Sequence, residues 1–334
     1  MMTLVRQPGL PARPANAPTT AEGSMSRRLA GLLTLVSIGI LVGCSDRSPT
    51  DSKPRGLGAP NLPGGGPPGL TSMGSPTLGL ATLRAAVNND HACVGGETVL
   101  LVQDVVPWFD QVPPDQDPLG ADVTELIAQD KNFCMITSDQ IGSTDLSTFK
   151  EILIPSDQNQ TYYDNLFPGV PGTIRQDITD WVSQGGVLSA NLADVGHNLG
   201  TWEGRVFIGG VQHVVQYSDL NDINDPDHPI IEDDLPCGSN GHCGPIKDAG
   251  IQNDLDGWNF SSHGYFTNTC ADTKVIIVDE FQSPVMIEYG FGAGRVVANL
   301  NTLEWRYYGA LGTTPEKKLL SNEIAYQDAI ACGF

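Results

Sequence analysis

The sequence predicts an α/β domain built on a doubly wound, mainly parallel sheet, and three observations carry that prediction. Apolar segments follow one another as strand, helix, strand, strand, helix, strand. The strand candidates are uninterrupted apolar runs, as expected where both faces of a strand are covered. A glycine-rich stretch late in the chain joins two further strands. The order implies parallel strands joined by crossovers.

Thr98 to Val102 is the first strand and ends in Gln103 and Asp104. Asp117-Pro118 signals a helix start, and Val123, Leu126 and Ile127 give that helix an apolar face at spacings of three and four. Phe133 to Thr137 and Ile152 to Pro155 are the second and third strands. Ile174 to Gln184 reads as a helix with Ile174, Ile178, Trp181 and Val182 facing inward, ended by Gly185 and Gly186. Val187 to Ala190 is the fourth strand. Val206 to Gly210 and Val211 to Tyr217 look extended, and residues 219–264 form a loop-rich insertion. Lys274 to Val278, Val285 to Tyr289 and Arg295 to Ala298 are strands, the last two a hairpin through Gly290, Gly292 and Gly294. A helix over 315–330 closes the domain with Leu319, Leu320, Ile324, Ala325 and Ile330 against the sheet.

Upstream, Arg27 and Arg28 precede fourteen largely apolar residues, Leu29 to Val42, then Gly43 and Cys44. A basic pair, a short apolar region, a small residue and a cysteine in this order form an export signal. The run is shorter than the about 20 apolar residues of a spanning helix. Residues 25–44 resemble the lipobox signal of bacterial lipoproteins, which implies cleavage before Cys44, diacylation of its thiol and acylation of its amine. Met25 is the expected start, with residues 1–24 a misassigned or disordered extension. Residues 45–80 hold seven prolines and eight glycines and read as a tether, part of a flexible segment over 44–90. As a coil it spans roughly 30 to 35 Å. The globular domain is therefore expected over 91–334. Ser45 after the cysteine resembles outer-membrane sorting in a diderm bacterium.

The formal charge is −21, and removal of residues 1–43 takes it to −24. Such a field repels nucleic acid and anionic surfaces, so polyanion binding is not expected. The expected partners are the membrane, through the lipid, and a glycan or envelope protein. With Cys44 assigned to lipid, six cysteines remain, an even number suited to an oxidising compartment. Cys237 and Cys243 flank a short flexible loop and are expected to pair. Cys93, Cys134, Cys270 and Cys332 allow three pairings, of which Cys93 with Cys332 would tie the domain's start to its end. A zinc site at His242 and Cys243 lacks a second ligand pair at finger spacing.

The motif order resembles the class I glutamine amidotransferase-like superfamily, in particular its ThuA-like members. The resemblance spans residues 97–330 and rests on Thr98 to Asp104, Trp181-Val182 with Gly185-Gly186-Val187-Leu188, Asp227-His228-Pro229-Ile230-Ile231, and Pro284 to Asn299. It implies a flavodoxin-like sheet with a late β-hairpin. Active amidotransferases place a cysteine in a sharp strand-to-helix turn and a histidine after a late strand. Here the turn considered, Ser189-Ala190-Asn191-Leu192, has no cysteine, and Asn299 to Glu304 contains no histidine. Without thiolate and base, glutaminase activity is not expected. Ser189 lacks the flanking glycines of a nucleophile elbow.

Ligands of open α/β sheets bind beyond the carboxyl ends of the strands. That rule selects Asp104 and Trp108 after the first strand, Asp157 and Gln158 after the third, and Asn191 and Asp194 after the fourth. His197, Glu304 and Trp305 approach the same rim. Carboxylates, amides and indoles suit a sugar, whose hydroxyls they bond and whose apolar face they stack. Asp219, Asp222 and Asp225 gather oxygen ligands and invite a weak calcium reading, but miss the EF-hand register, as does Asp254-Leu255-Asp256-Gly257. No other cofactor is expected. The functional expectation is a non-catalytic, lipid-anchored binding domain. The alternative is a ThuA-like enzyme acting on a carbohydrate, with Asp104, Asp157, Asp194 or His197 as acid and base.

Overall fold

The computed structural model describes residues 91–109, 119–232, 235, 237, 241–246, 255, 262–307 and 315–331. The leader, Cys44, the tether, Asp117-Pro118, most of Asp254 to Gly257, and Cys332 lie outside the described residues. Among the described residues no helix is long and apolar enough to cross a membrane.

In chain order the elements are β1 (Val99–Val102), α1 (Ala121–Ala128), β2 (Phe133–Ile136), β3 (Glu151–Ile154), α2 (Gln160–Leu166), α3 (Gln176–Ser183), β4 (Val187–Asn191), β5 (Gln212–Val214), β6 (Asn221–Ile223) and α4 (Pro229–Glu232). They continue as β7 (Tyr265–Thr267), β8 (Lys274–Asp279), β9 (Pro284–Phe291), β10 (Gly294–Asn299), α5 (Leu303–Tyr307) and α6 (Pro315–Ala331).

Eight strands form the main sheet in the order β2-β1-β3-β4-β10-β9-β8-β6. The first five run parallel, and β9, β8 and β6 extend the sheet by antiparallel pairing. This is the flavodoxin-like order with β10 as the fifth parallel strand, so the fold class read from the sequence holds. Every residue of β1, β3 and β4 is buried, the mark of strands covered on both faces. On α3, Ile178, Trp181 and Val182 face inward as expected. On α1, Val123 and Leu126 are buried, whereas Ile127 is 48% exposed and lies off the apolar stripe.

Two segments differ from expectation. Val206 to Tyr217 is not two extended runs: Gly209 at φ 75° and Gly210 at φ 86° bend it, and only β5 is strand, paired with β7 in a separate small sheet. Part of the loop-rich insertion joins the main sheet as β6. Strand geometry there sends Asp222 outward while Asn221 and Ile223 point in, and Asp219 and Asp225 lie outside the strand on either side of it. Among the described residues no group of three or more His, Cys, Asp or Glu side chains is arranged to hold a metal ion.

Cys237 and Cys243 are disulfide-bonded, as expected. Cys93 bonds Cys134 rather than Cys332. The reason is local: the His91 carbonyl accepts from Met135 N at 2.8 Å, and the His91 ring stacks on Phe133 with centroids 4.7 Å apart. The incoming segment thus runs along the β2 edge, which brings the two Cα atoms to 5.0 Å. Cys270 is disulfide-bonded as well. The zinc reading at His242 fails because Cys243 has no free thiolate and the ring Nδ1 of His242 lies 2.8 Å from Glu125 Oε2.

The Asp227-His228-Pro229 motif has a structural role. Nδ1 of His228 accepts from Ile230 N at 3.2 Å, so Nε2 carries the proton that it donates to Glu288 Oε2 at 2.6 Å. Arg295 and Tyr326 also donate to Glu288. Burial pushes this carboxyl up, but the bonds from His228 and Arg295 outweigh it and hold the pKa down to about 2. The carboxylate therefore stays ionised inside the antiparallel half of the sheet.

Candidate functional site

In the order β2-β1-β3 the chain leaves β1 for one side and returns to the other at β3, so the crevice of the sheet opens above the carboxyl ends of β1 and β3. The protein fills that crevice with its own side chains. Gln158 Oε1 accepts from Asp104 N at 2.9 Å and Val105 N at 3.1 Å. Its Nε2 donates to the carbonyls of Val105 and Ser156 at 3.1 and 3.0 Å. The carboxamide is fully buried and spans the gap between the β1 and β3 loops.

Asp157 does the same for three loops. Its Oδ2 accepts from Trp108 N at 2.9 Å and from Asn198 Nδ2 at 3.0 Å, and its Oδ1 accepts from Asn198 N at 2.9 Å. The β1, β3 and β4 loops are thereby joined through one carboxylate. Burial raises its pKa to about 7 against the bonds from Asn198 and Trp108, which lower it. Asp157 stands at φ 47° in the turn between β3 and α2. That strained strand-to-helix turn is the elbow-like feature of the fold; Ser189, by contrast, lies within β4 and donates its hydroxyl to Glu323 Oε1 at 2.8 Å.

The sequence-selected residues do not converge on one open pocket. Asp104 turns to Ser138, accepting from its N at 2.7 Å and its hydroxyl at 2.8 Å. Glu304 accepts from Ser156 N and Oγ at 2.8 Å each, and Trp108 Nε1 donates to the same Oγ at 3.0 Å. Glu304, Asp157 and Trp108 thus meet around Ser156, but below the surface, and burial raises the Glu304 pKa. Asn191 accepts from Asn299 Nδ2 at 3.2 Å. Asp194 Oδ2 accepts from Thr201 Oγ1 at 2.6 Å and Trp202 N at 2.9 Å. Trp108 is 3% exposed, too enclosed to stack on a sugar. Of the selected residues, His197 and Trp305 remain half-exposed, His197 edge-on to Trp108 at 5.2 Å and Trp305 beneath the Arg306 guanidinium at 5.5 Å.

Among the described residues, the large apolar side chains that the rim exposes are four, beside the half-exposed His197 and Asn198. Leu199 is 69% exposed, Phe109 56%, Tyr217 44% and Val195 36%. Tyr217 packs on His263, which packs on Trp108, with centroids 4.8 and 5.6 Å apart. His263 Nδ1 lies 2.5 Å from the Asp194 carbonyl, which makes Nδ1 the protonated nitrogen. The same loops hold four non-glycine residues at positive φ: Trp108 at 48°, Asp157 at 47°, Val195 at 56° and Leu199 at 59°. For bulky or β-branched residues this costs about 1 to 3 kcal/mol each and persists only where surrounding contacts fix it. Val195 and Leu199 are absent from the sequence-selected set because no composition signal marks a strained Val or Leu, and Asn198, Tyr217 and His263 because only the folded chain brings them to the rim.

Gly196 is a close-packed point of this assembly. A Cβ there would overlap Asp157 Oδ1 and the Trp108 ring. Gly196→Ala is expected to destabilise the fold by about 1 to 3 kcal/mol through overpacking. Urea titration measures this, and an unchanged midpoint would mean that the loops are not tightly joined.

No family model matches the chain. A protein of Clostridium acetobutylicum described as uncharacterised is 30% identical over 229 residues, covering 68% of this chain and 20% of that one. The chain therefore spans about a fifth of the length of the curated relative it matches. Among solved structures, a cytoplasmic protein of Salmonella typhimurium aligns at TM-score 0.41 and 11% identity over 70% of this chain and 99% of its own. A Thermoplasma acidophilum protein described as a GMP synthase component aligns at 0.38 and 10%, over 70% and 96%. An exo-β-1,4-mannosidase of an Opitutaceae bacterium aligns at 0.36 and 14%, over 69% and 36%. These scores are below 0.5 and assign no substrate or activity to this chain.

Proposed function

We propose that this chain is a lipid-anchored protein of the bacterial cell envelope whose amidotransferase-like domain docks a protein partner through the rim beyond β1, β3 and β4, without chemistry there. The observation that carries the reading is the combination of a filled crevice with a strained, apolar outer surface. Strained backbone clusters at functional sites. A catalytic rim keeps its acids and bases facing a cleft, whereas here Asp104, Asp157, Gln158, Asp194 and Glu304 are buried and bonded within the fold. A glycan needs outward donors and acceptors to read its hydroxyls, and among the described residues the rim offers mainly Leu199, Phe109, Tyr217 and Val195 instead. Aromatic and aliphatic anchors of this kind suit a protein interface. The five cysteines within the described residues are all disulfide-bonded, which supports the absence of a thiolate nucleophile.

The anchor rests on the lipobox-like string ending in Leu41-Val42-Gly43-Cys44, with the outer membrane as the destination in a diderm host. Mass spectrometry of the protein from membranes is expected to find a mature chain starting at a triacylated Cys44, and Cys44→Ser is expected to release it. A water-soluble wild-type chain with an intact leader would overturn the anchor. Photo-crosslinking from Leu199 in cells tests the rim, with Val170, 101% exposed on another loop, as the reference position.

A further inference from the structure

A disulfide exchanges when a thiolate attacks one sulfur and the other leaves as a thiolate, so it needs both an accessible sulfur and a stabilised leaving group. Cys93–Cys134 lacks the second. Cys93 is exposed, but Cys134 is fully buried among the apolar residues of β2, where a thiolate is disfavoured. Cys237 and Cys243 are both half-buried, and their sulfurs lie 3.6 and 3.3 Å from Ser321 Oγ on α6.

The surroundings of Cys243 suit a leaving thiolate. Glu125 of α1 is fully buried and accepts from Ser321 Oγ, Gln129 Nε2, Tyr307 Oη and His242 Nδ1. Burial pushes its carboxyl up, but these bonds outweigh burial and hold it below the usual carboxylate range. The carboxylate thus fixes the imidazole next to Cys243 with the proton on Nδ1, and Nε2 makes no hydrogen bond among the described residues. Lys318 lies along Gly244, with Nζ donating to the Pro245 carbonyl at 3.5 Å. Lys317 Nζ stands 4.6 Å over the Tyr307 ring, which is edge-on to His242. The carboxylates beside them are engaged, Glu125 by its four donors and Glu316 by Arg306 at 3.9 Å. In a chain of net charge −21, two lysines and an imidazole gathered at one sulfur set a local field opposite to that of the whole. Such a field favours thiolate over thiol.

We propose that Cys237–Cys243 is a redox-active pair that exchanges with an external dithiol, outside the rim and independent of its partner, while Cys93–Cys134 is a structural crosslink. A thiolate of the dithiol attacks Cys237 Sγ and the bond between the two sulfurs breaks. Cys243 leaves as a thiolate beside His242 and Lys318 and takes a proton from solvent. The second thiol of the donor loses its proton to solvent and displaces Cys237, which is protonated in turn. The donor ends as a disulfide, and the chain gains two electrons and two protons.

Timed reduction of the folded full chain by dithiothreitol, quenched with N-ethylmaleimide and read peptide by peptide by mass spectrometry, tests this. Cys237 and Cys243 are expected to be labelled roughly tenfold faster, or more, than Cys93 and Cys134. Two monothiols read the charge at the sulfur separately from its exposure. At equal thiolate concentration and low salt, anionic 2-mercaptoethanesulfonate should react faster than cationic cysteamine despite the net charge of the chain, and its mixed disulfide should form on Cys237. Lys318→Gln should lower the ratio of the two rates by about threefold or more with the melting temperature unchanged. The proposal is overturned if Cys237–Cys243 is reduced no faster than Cys93–Cys134, if cysteamine reacts as fast as the anionic thiol or faster, if the mixed disulfide forms on Cys243, or if Lys318→Gln leaves the ratio unchanged.

Discussion

Replacing Asp157 with alanine is expected to lower the unfolding free energy by about 3 to 5 kcal/mol, the largest effect of any single rim substitution. The carboxylate accepts three hydrogen bonds from two other loops, and its removal leaves Trp108 N and Asn198 N unpaired, while Asn198 Nδ2 keeps the carbonyls of Val106 and Asp157. Each buried unsatisfied donor costs about 1 to 3 kcal/mol. The β-carbon also remains at φ 47°, so no strain is relieved in compensation. Hydrogen exchange should then reveal the loops at 104–109 and 194–200 opening before the sheet. Asp157→Asn, which retains the shape and part of the acceptor capacity, should lose less. Equal stability of Asp157→Ala and the wild type in urea would mean that the carboxylate does not hold the rim.

Stability is expected to fall as pH rises from about 4.5 to about 8, the reverse of the usual behaviour of paired carboxylates. Burial raises Glu151 and Glu323 to about 8 and Asp157 to about 7. Asp122 and Glu304 are also raised, by burial and, for Asp122, by the neighbouring Glu304. Unfolded, these groups ionise near their ordinary values, so between about pH 4.5 and 8 the folded chain binds more protons and each pH unit costs about 1.4 kcal/mol per fully shifted group. Glu288 acts oppositely: its contribution is present above its unfolded value and is lost as pH falls toward its folded value of about 2. The optimum therefore lies near pH 5. Urea titrations at pH 5 and pH 8 should show the midpoint decreasing, and Glu323→Gln, which cannot ionise, should be more stable than the wild type at pH 8. A midpoint that rises across this window would contradict the buried, protonated state of these acids.

The apolar runs made the parallel half of the sheet legible, because a strand covered on both faces has no polar position to blur it. Ile178, Trp181 and Val182 were equally clear on α3. The tie of Cys93 to Cys134 was hidden, since it depends on His91 running along an edge strand rather than on spacing. The bends at Gly209 and Gly210 interrupted what read as two strands. The rim was legible in position but not in sense: Asp, Asn and Gln after a strand look the same whether they face a ligand or tie loops together. Which of the two holds depends on the left-handed backbone at Trp108, Asp157, Val195 and Leu199, residues whose side chains give no warning of it.

Crosslinking from the rim in living cells tests the central claim most directly, that this surface binds a protein and catalyses nothing. A photoreactive residue at Leu199 or Phe109 should give one discrete protein adduct, weakened by Tyr217→Ala, while the same residue at Val170 gives none. Adducts no more frequent from Leu199 than from Val170 would contradict the claim. So would turnover of a carbohydrate by the purified chain that Asp157→Asn abolishes with its melting temperature unchanged.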